Sequence, residues 1–286
     1  METKVEILLA KEYGFCFGVK RAVKTVEETA ASAAAERPVY TLGPIVHNDE
    51  VVAQMQALGV WAKDTLDEID AGTVIIRAHG VPPETLDAAR DKGLRVVDGT
   101  CPLVIKVQQL ARALHDEGYQ VVIYGTPEHP EVIGIAGWAG EGTVVVQSLD
   151  DVAALPRHKK IGVVSQTTKV PADYQAIVGA LMGKCQELRA HNTICNATAQ
   201  RQAAAVETAR QVDVMLVIGE AHSSNSRRLA EVCAQVNPRT YRIATADELD
   251  AAWFVGAEKV GITAGASTPD AAIERVMRWL QGMVDF

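Results

Sequence analysis

The sequence predicts an α/β fold built on parallel sheets. Three observations carry that prediction. Short runs of β-branched and aliphatic residues recur along the chain, helical patterns alternate with them, and the middle of each run is continuously apolar rather than alternating with polar residues. Continuous apolar strands belong in parallel sheets covered on both faces. Helices between successive strands are the α/β pattern.

In chain order, VEILLA precedes a helix over residues 19–35, and TVIIR one over 82–92. LRVVD leads to a helix over 103–117, QVVIYG to 130–138 and IGVVSQ to 172–184. DVMLVIG leads to 225–236, and KVGITAG to 269–281. Three stretches repeat one grammar, a cysteine in a loop followed by an amphipathic helix. They are GFCFGVKRAV around Cys16, DGTCPLVIKV around Cys101 and NTICNATAQRQ around Cys195. Their intervals are close to a third of the chain. This spacing suggests three similar lobes about a pseudo-threefold axis, each giving one thiol to the centre. The divisions are an N-terminal strand and first cysteine loop (1–16), then lobes over 17–100, 101–194 and 195–286.

Composition narrows the function. The 286 residues are 48% hydrophobic and 22% charged, ample for buried cores, with a net charge of −8. That charge argues against nucleic acid or an anionic membrane surface as the main partner. The N-terminus lacks the basic region and cleavage site of a secretory signal. No apolar run approaches the roughly 20 residues needed to span a bilayer. The expected location is the cytoplasm. Five cysteines, an odd number without an export signal, argue against a disulfide framework.

Cys16, Cys101 and Cys195 share the loop-before-helix context, where the dipole and free amides make a thiol a better ligand. Pro102 suits the first helical position after Cys101. The bland alternative is three unrelated buried cysteines. Cys185 and Cys233 fit that description, at helix-end and helix-packing positions. Soft thiolates suit zinc or an iron–sulfur cluster. Structural zinc usually draws on close pairs such as CxxC, and the chain has none. Three ligands on a four-iron cluster would leave one iron open as a Lewis acid.

Polar loops complete the picture. His47 (GPIVHN), His79 (RAHGV) and His129 (PEHPEV) follow strands or open helices, where ligands bind in α/β sheets. His115, His158 and His191 lack that context and read as surface or capping residues. In GEAHSSNSRRL, Ser223, Ser224 and Asn225 offer hydroxyls, an amide and helix N-terminal N–H groups, a seat for phosphate. A plain N-cap would need only one of them. TAGASTPD offers a second seat at Ser267, and SQTT a third. No GxxxxGK[ST] or GxGxxG motif is present, which disfavours a nucleotide. Glu131, in HPEV, reads from local sequence as a first-turn residue complementing the helix dipole.

Together GFCFGV, GPIVHN, RAHGV, DGTCPLV, HPEV, SQTT, SSNSRRL and TAGAS resemble the 4-hydroxy-3-methylbut-2-enyl diphosphate reductases of the non-mevalonate isoprenoid pathway. The resemblance spans nearly the whole chain. It implies an α/β trefoil of three parallel-sheet lobes around a central 4Fe-4S cluster held by Cys16, Cys101 and Cys195. The open iron would bind the substrate hydroxyl. His47, His79, His129, Ser223, Ser224, Asn225 and Ser267 would hold the diphosphate, while Thr167 and Glu131 handle the hydroxyl and the proton. It implies reductive dehydroxylation to isopentenyl and dimethylallyl diphosphate by a monomer fed by ferredoxin or flavodoxin. His222, where asparagine is common, and Asn196, where Asp or Tyr is often seen, depart from the family pattern without removing a ligand. Two rivals use the same residues differently: a zinc-dependent phosphohydrolase, and a diphosphate-binding regulatory protein whose cysteines only pack.

Overall fold

The structure, a computed structural model, describes residues 5–32, 36–46, 48–220 and 223–282, with only the backbone of Ser224. The apolar runs form strands. β2 (Val39–Leu42), β3 (Val60–Lys63), β4 (Thr73–Ile76) and β5 (Arg95–Asp98) make a first sheet in the order β3-β2-β4-β5. β6 (Gln120–Tyr124), β7 (Val144–Val146), β8 (His158–Ser165) and β9 (Cys185–Ala190) make a second, ordered β7-β6-β8-β9. β10 (Val214–Ile218), β11 (Thr240–Ile243), β12 (Lys259–Ala264) and β1 (Glu6–Leu9) make a third, ordered β11-β10-β12-β1. Every pairing is parallel. The three orders are the same once β1 is taken as fourth strand of the third sheet.

The helices between strands are α1 (Phe17–Ala31), α2 (Asp49–Ala57), α3 (Pro83–Asp91), α4 (Pro102–Asp116) and α5 (Pro130–Ala139). They continue as α6 (Leu149–Ala154), α7 (Pro171–Met182), α8 (Asn196–Ala209), α9 (Ser224–Ala234) and α10 (Asp270–Gly282). Four of them, α3, α4, α5 and α7, open on proline. Its fixed φ suits the first turn, where its missing N–H costs nothing. Side-chain alternation along each central strand feeds two cores. Val121 and Ile123 of β6 pack with Val107, Leu114 and Ile135 of α4 and α5. Val122 and Tyr124 pack with Tyr174, Ile177 and Leu181 of α7. In the third sheet Leu216 and Ile262 face Ile273 and Val276 of α10, while Met215 and Val217 face Ala205, Leu229 and Cys233. Each fully buried aliphatic side chain contributes roughly 1.5–3 kcal/mol.

Five strands lack a clear run in the sequence: β2, β3, β7, β9 and β11. Four of these are sheet edges. An edge strand has a neighbour on one side only and tolerates charge, as CQELRA in β9 illustrates. The chain forms two compact units. One comprises Met1–Val19, Val46–Val51 and Asn196–Phe286 and holds the third sheet; the other comprises Lys20–Ile45 and Val52–Cys195 and holds the first two.

Candidate active site

The residues singled out in the sequence lie just beyond the C-terminal ends of parallel strands, where ligands bind in such sheets. In the first sheet His79 follows β4 and Cys101 follows β5. In the second, His129 and Glu131 follow β6, Thr167 follows β8 and Cys195 follows β9. In the third, Ser223 and Asn225 follow β10, Ser267 follows β12 and Cys16 follows β1. So each cysteine follows a fourth strand. His47 and His222 lie outside the described residues, as does the side chain of Ser224.

One hydrogen bond recurs in all three cysteine loops. The N–H of Cys16 donates to the Ala266 carbonyl at 3.2 Å, that of Cys101 to Ala78 at 3.0 Å, and that of Cys195 to Thr167 at 2.9 Å. Each acceptor is a candidate ligand residue or its immediate predecessor: Ala266 precedes Ser267, and Ala78 precedes His79. The three cysteines form no disulfide and are partly exposed. The Val19 N–H lies 3.4 Å from Cys16 Sγ, a helix-start donor aimed at sulfur. Cys185 and Cys233 differ. The Cys185 thiol donates to Leu181 O at 3.4 Å, and burial pushes its pKa up. Cys233 is fully buried on α9, and burial pushes its thiol up to about 12.

In the unit that holds the first two sheets, His79, His129, Glu131 and Thr167 come together. The rings of His79 and His129 meet edge to face with centroids 5.4 Å apart. His129 caps α5, its Nδ1 accepting from the Glu131 N–H at 3.1 Å. This bond leaves Nδ1 an acceptor and Nε2 the protonated nitrogen of the neutral ring. Glu131 is only 2% exposed. Its Oε1 accepts from the Thr167 N–H at 2.6 Å and its Oε2 from the Thr167 hydroxyl at 2.8 Å. Burial raises the carboxyl pKa, and the two Thr167 bonds oppose that shift without cancelling it. Glu131 is thus far from a plain first-turn glutamate in water.

In the other unit Ser223 caps α9, with its Oγ 3.4 Å from the Ser226 N–H and 3.1 Å from the Ser226 hydroxyl. A Cβ on Gly219 or on Gly265 would come within 2.1 Å of Ser226 Oγ, so both strand ends need glycine there. Asn225 is 6% exposed, and neither atom of its amide has a hydrogen-bond partner among the described residues. An orphaned buried amide costs about 1–3 kcal/mol. This one is available to a ligand at a helix N-terminus, the place for an anion.

Cys16, Cys101 and Cys195 each stand at a helix start, on a loop whose cysteine N–H bonds to a loop carrying a polar candidate residue, and thiolates of this kind suit an iron–sulfur cluster. No three His, Cys, Asp or Glu side chains converge on one ion position among the described residues. The LytB protein family profile matches residues 7–281. The chain belongs to the LytB family. Among LytB relatives, a 4-hydroxy-3-methylbut-2-enyl diphosphate reductase of Pelobacter propionicus is 48% identical over 273 residues, 96% of each chain. Its counterpart in Aquifex aeolicus is 45% identical, covering 97% of this chain and 96% of that protein. A solved structure of an (E)-4-hydroxy-3-methyl-but-2-enyl diphosphate reductase, described as the terminal enzyme of the non-mevalonate pathway, superposes with a TM-score of 0.74. It is 45% identical and covers 97% of this chain and 99% of its own. The Plasmodium falciparum reductase structure gives 0.89 at 31% identity, covering 96% of this chain and 87% of its own.

Gln166 lies beside His129, Glu131 and Thr167 in this candidate site but is not singled out by sequence. It is 1% exposed; its Oε1 accepts from the Thr126 N–H at 3.1 Å, and its Nε2 donates to Thr168 Oγ1 at 3.1 Å. It thereby ties the turn before His129 to the turn holding Thr167. The available signal was a glutamine at the end of an apolar strand, a place where a polar side chain must find partners.

Proposed function

We propose that this LytB protein is a 4-hydroxy-3-methylbut-2-enyl diphosphate reductase, an oxidoreductase that replaces the allylic hydroxyl with hydrogen. The products are isopentenyl and dimethylallyl diphosphate. Relatives named for that reaction match it over nearly their whole length. Cys16, Cys101 and Cys195 hold a 4Fe-4S cluster, dividing the chain into 1–16, 17–100, 101–194 and 195–286. When bound, the cluster supplies the two electrons and one iron without a protein ligand. Helix-start amides favour the thiolates it requires. Cys16, Cys101 and Cys195 would hold the cluster through their thiolates, and it would supply the redox chemistry. Electrons come from ferredoxin or flavodoxin, and the enzyme works as a cytoplasmic monomer. No helix among the described residues is long and apolar enough to cross a membrane.

His47, His79, His129, Ser223, Ser224, Asn225 and Ser267 bind the diphosphate, the histidines and hydroxyls donating to its oxygens. The net change is two electrons and two protons. One proton leaves with the substrate oxygen as water, and the other ends on the allyl carbon. Glu131 is the proton store, because burial favours its neutral form. Thr167 is the relay. With Glu131 protonated, Oε1 still accepts the Thr167 N–H, while Oε2–H donates to Thr167 Oγ1. The threonine proton is then released toward the substrate oxygen. The two-point contact between Glu131 and Thr167 carries this reading. Anaerobically purified protein tests it directly. Brown protein with iron, sulfide and diphosphate-dependent reductase activity is expected. Colourless protein with one zinc would instead mean a phosphohydrolase, and colourless protein without metal a binding protein.

A further inference from the structure

Two arginines hold the carbonyls that immediately precede cysteines. Arg201 lies on α8, which begins right after Cys195, and is 4% exposed. Its Nε donates to Gly14 O at 3.3 Å, its Nη2 to Phe15 O at 3.4 Å and its Nη1 to Ala197 O at 3.1 Å. Arg21 lies on α1, which begins right after Cys16. Its Nη1 donates to Thr100 O at 2.6 Å. Phe15 precedes Cys16, and Thr100 precedes Cys101. No carboxylate partners either guanidinium among the described residues.

In a trans peptide the carbonyl and the next N–H point in opposite directions. The Phe15–Cys16 peptide is therefore pinned at both ends, its oxygen by Arg201 and its Cys16 N–H by Ala266. The Thr100–Cys101 peptide is pinned likewise, by Arg21 and by Ala78. Fixing that plane fixes where the cysteine Cα–Cβ bond can point. The third loop uses neutral groups: Thr193 Oγ1 accepts from the Ser165 N–H and donates to the Ser165 carbonyl, each at 2.7 Å. Lys106, at the matching place after Cys101, is exposed.

Burying a guanidinium against carbonyls alone is costly. An anionic group nearby offsets that cost, and the offset grows as the group gains electrons. We infer that Arg201 and Arg21 are positioning residues for the cluster: they orient Cys16 and Cys101, and their permanent charge favours the reduced state. This inference rests on the ligand assignment proposed above. Arg201 sits in surroundings of low dielectric, where Coulomb effects exceed those in water, and Arg21 is half-buried.

The test is a spectroelectrochemical titration of the anaerobic holoprotein, read by electron paramagnetic resonance, with iron and sulfide assayed on each sample. In Arg201→Gln and in Arg21→Gln, the reduced-to-oxidised ratio at a fixed poise should fall about tenfold, a shift of about 59 mV for one electron. Arg201→Lys and Arg21→Lys keep the charge and should return most of that shift. A purely structural role would lower cluster content or thermal stability and leave the midpoint of the surviving cluster unchanged. Unchanged midpoints in cluster-replete Gln variants overturn the inference. If the Gln variants cannot hold a cluster, the Lys variants decide: more iron and sulfide than in Gln supports it, and equal loss overturns it. Wild-type protein that binds no cluster would defeat the ligand assignment itself, a result separable from all of these.

Discussion

Thr167 grips both oxygens of Glu131, its N–H donating to Oε1 at 2.6 Å and its hydroxyl to Oε2 at 2.8 Å. The Thr167 carbonyl meanwhile accepts from the Cys195 N–H at 2.9 Å. One residue thus links the buried acid to a cysteine loop with three backbone and side-chain atoms. A displacement of Thr167 would be felt at both places.

Glu131→Gln should keep the cluster and bind substrate. Its amide can accept from the Thr167 N–H and donate to the Thr167 hydroxyl, copying the protonated acid without a proton to give. General acid catalysis typically contributes 10²–10⁴-fold, so kcat should fall by about that factor. A chemical reductant should be used, so that donor docking plays no part. A near-wild-type kcat would return Glu131 to the role of a helix-start residue.

The raised Glu131 pKa also predicts how stability varies with pH. Between the ordinary Glu value of about 4.3 and the raised value, the folded chain keeps a proton that the unfolded chain has lost. Stability from this group is therefore full below the ordinary value and is lost as pH rises through the raised one. Glu131→Gln lacks this dependence. Its Tm relative to wild type should climb with pH across that window and then level off. A Tm difference flat with pH would mean that Glu131 ionises as readily folded as unfolded.

Thr167→Ser should retain most activity, because the N–H and the hydroxyl both remain. Thr167→Val keeps the shape and the N–H but leaves Oε2 of a buried acid without its partner. It should lose roughly 1–3 kcal/mol of stability and most of its turnover. Equal kcat for the Ser and Val variants would remove the hydroxyl from the proton path.

Asn225→Ala tests the orphaned amide. Removing a buried polar group that has no partner should leave Tm unchanged or slightly higher. Losing a charge-assisted bond to the diphosphate, worth about 1.5–3 kcal/mol, should raise KM roughly ten- to a hundredfold. A fall in Tm with an unchanged KM would show that the amide serves the fold.

Cys101→Ser should lose iron and sulfide, whereas Cys233→Ser and Cys185→Ser should keep both. Cys233, with its thiol pushed up to about 12, should also resist alkylation of the folded protein at mildly alkaline pH. Full cluster content in Cys101→Ser would refute its assignment as a ligand.

The parallel-sheet class was legible because the central strands β4, β6, β8, β10 and β12 are continuous apolar runs, which two-sided burial demands. Helix starts were legible at Pro83, Pro102, Pro130 and Pro171, where residue type and position agree. The edge strands β1 and β5 were legible too, but β3 and β11 were not: VWAK and TYRI are four residues long and each carries a basic residue, so they do not stand out from loops. In the site, the cysteines and histidines announce themselves by residue type. The contact between Glu131 and Thr167 spans 36 residues of sequence, and no local pattern reports it. Arg201 and Arg21 were invisible for the same reason, since a basic residue on a helix usually faces water.

The place of β1 has a consequence for biosynthesis. Its one strand neighbour is β12, separated from it by most of the polypeptide. Once made, β1 therefore waits, edge bare, until residues 259–264 have been translated. The turn bearing Cys16 waits too, since its amide bonds to Ala266. Residues 39–190 can complete two sheets before then, but the Cys16 turn is shaped only once Ala266 has been made. Metal loading that needs all three thiols would then follow translation, and a nascent chain stalled before residue 259 would present an unpaired strand to chaperones.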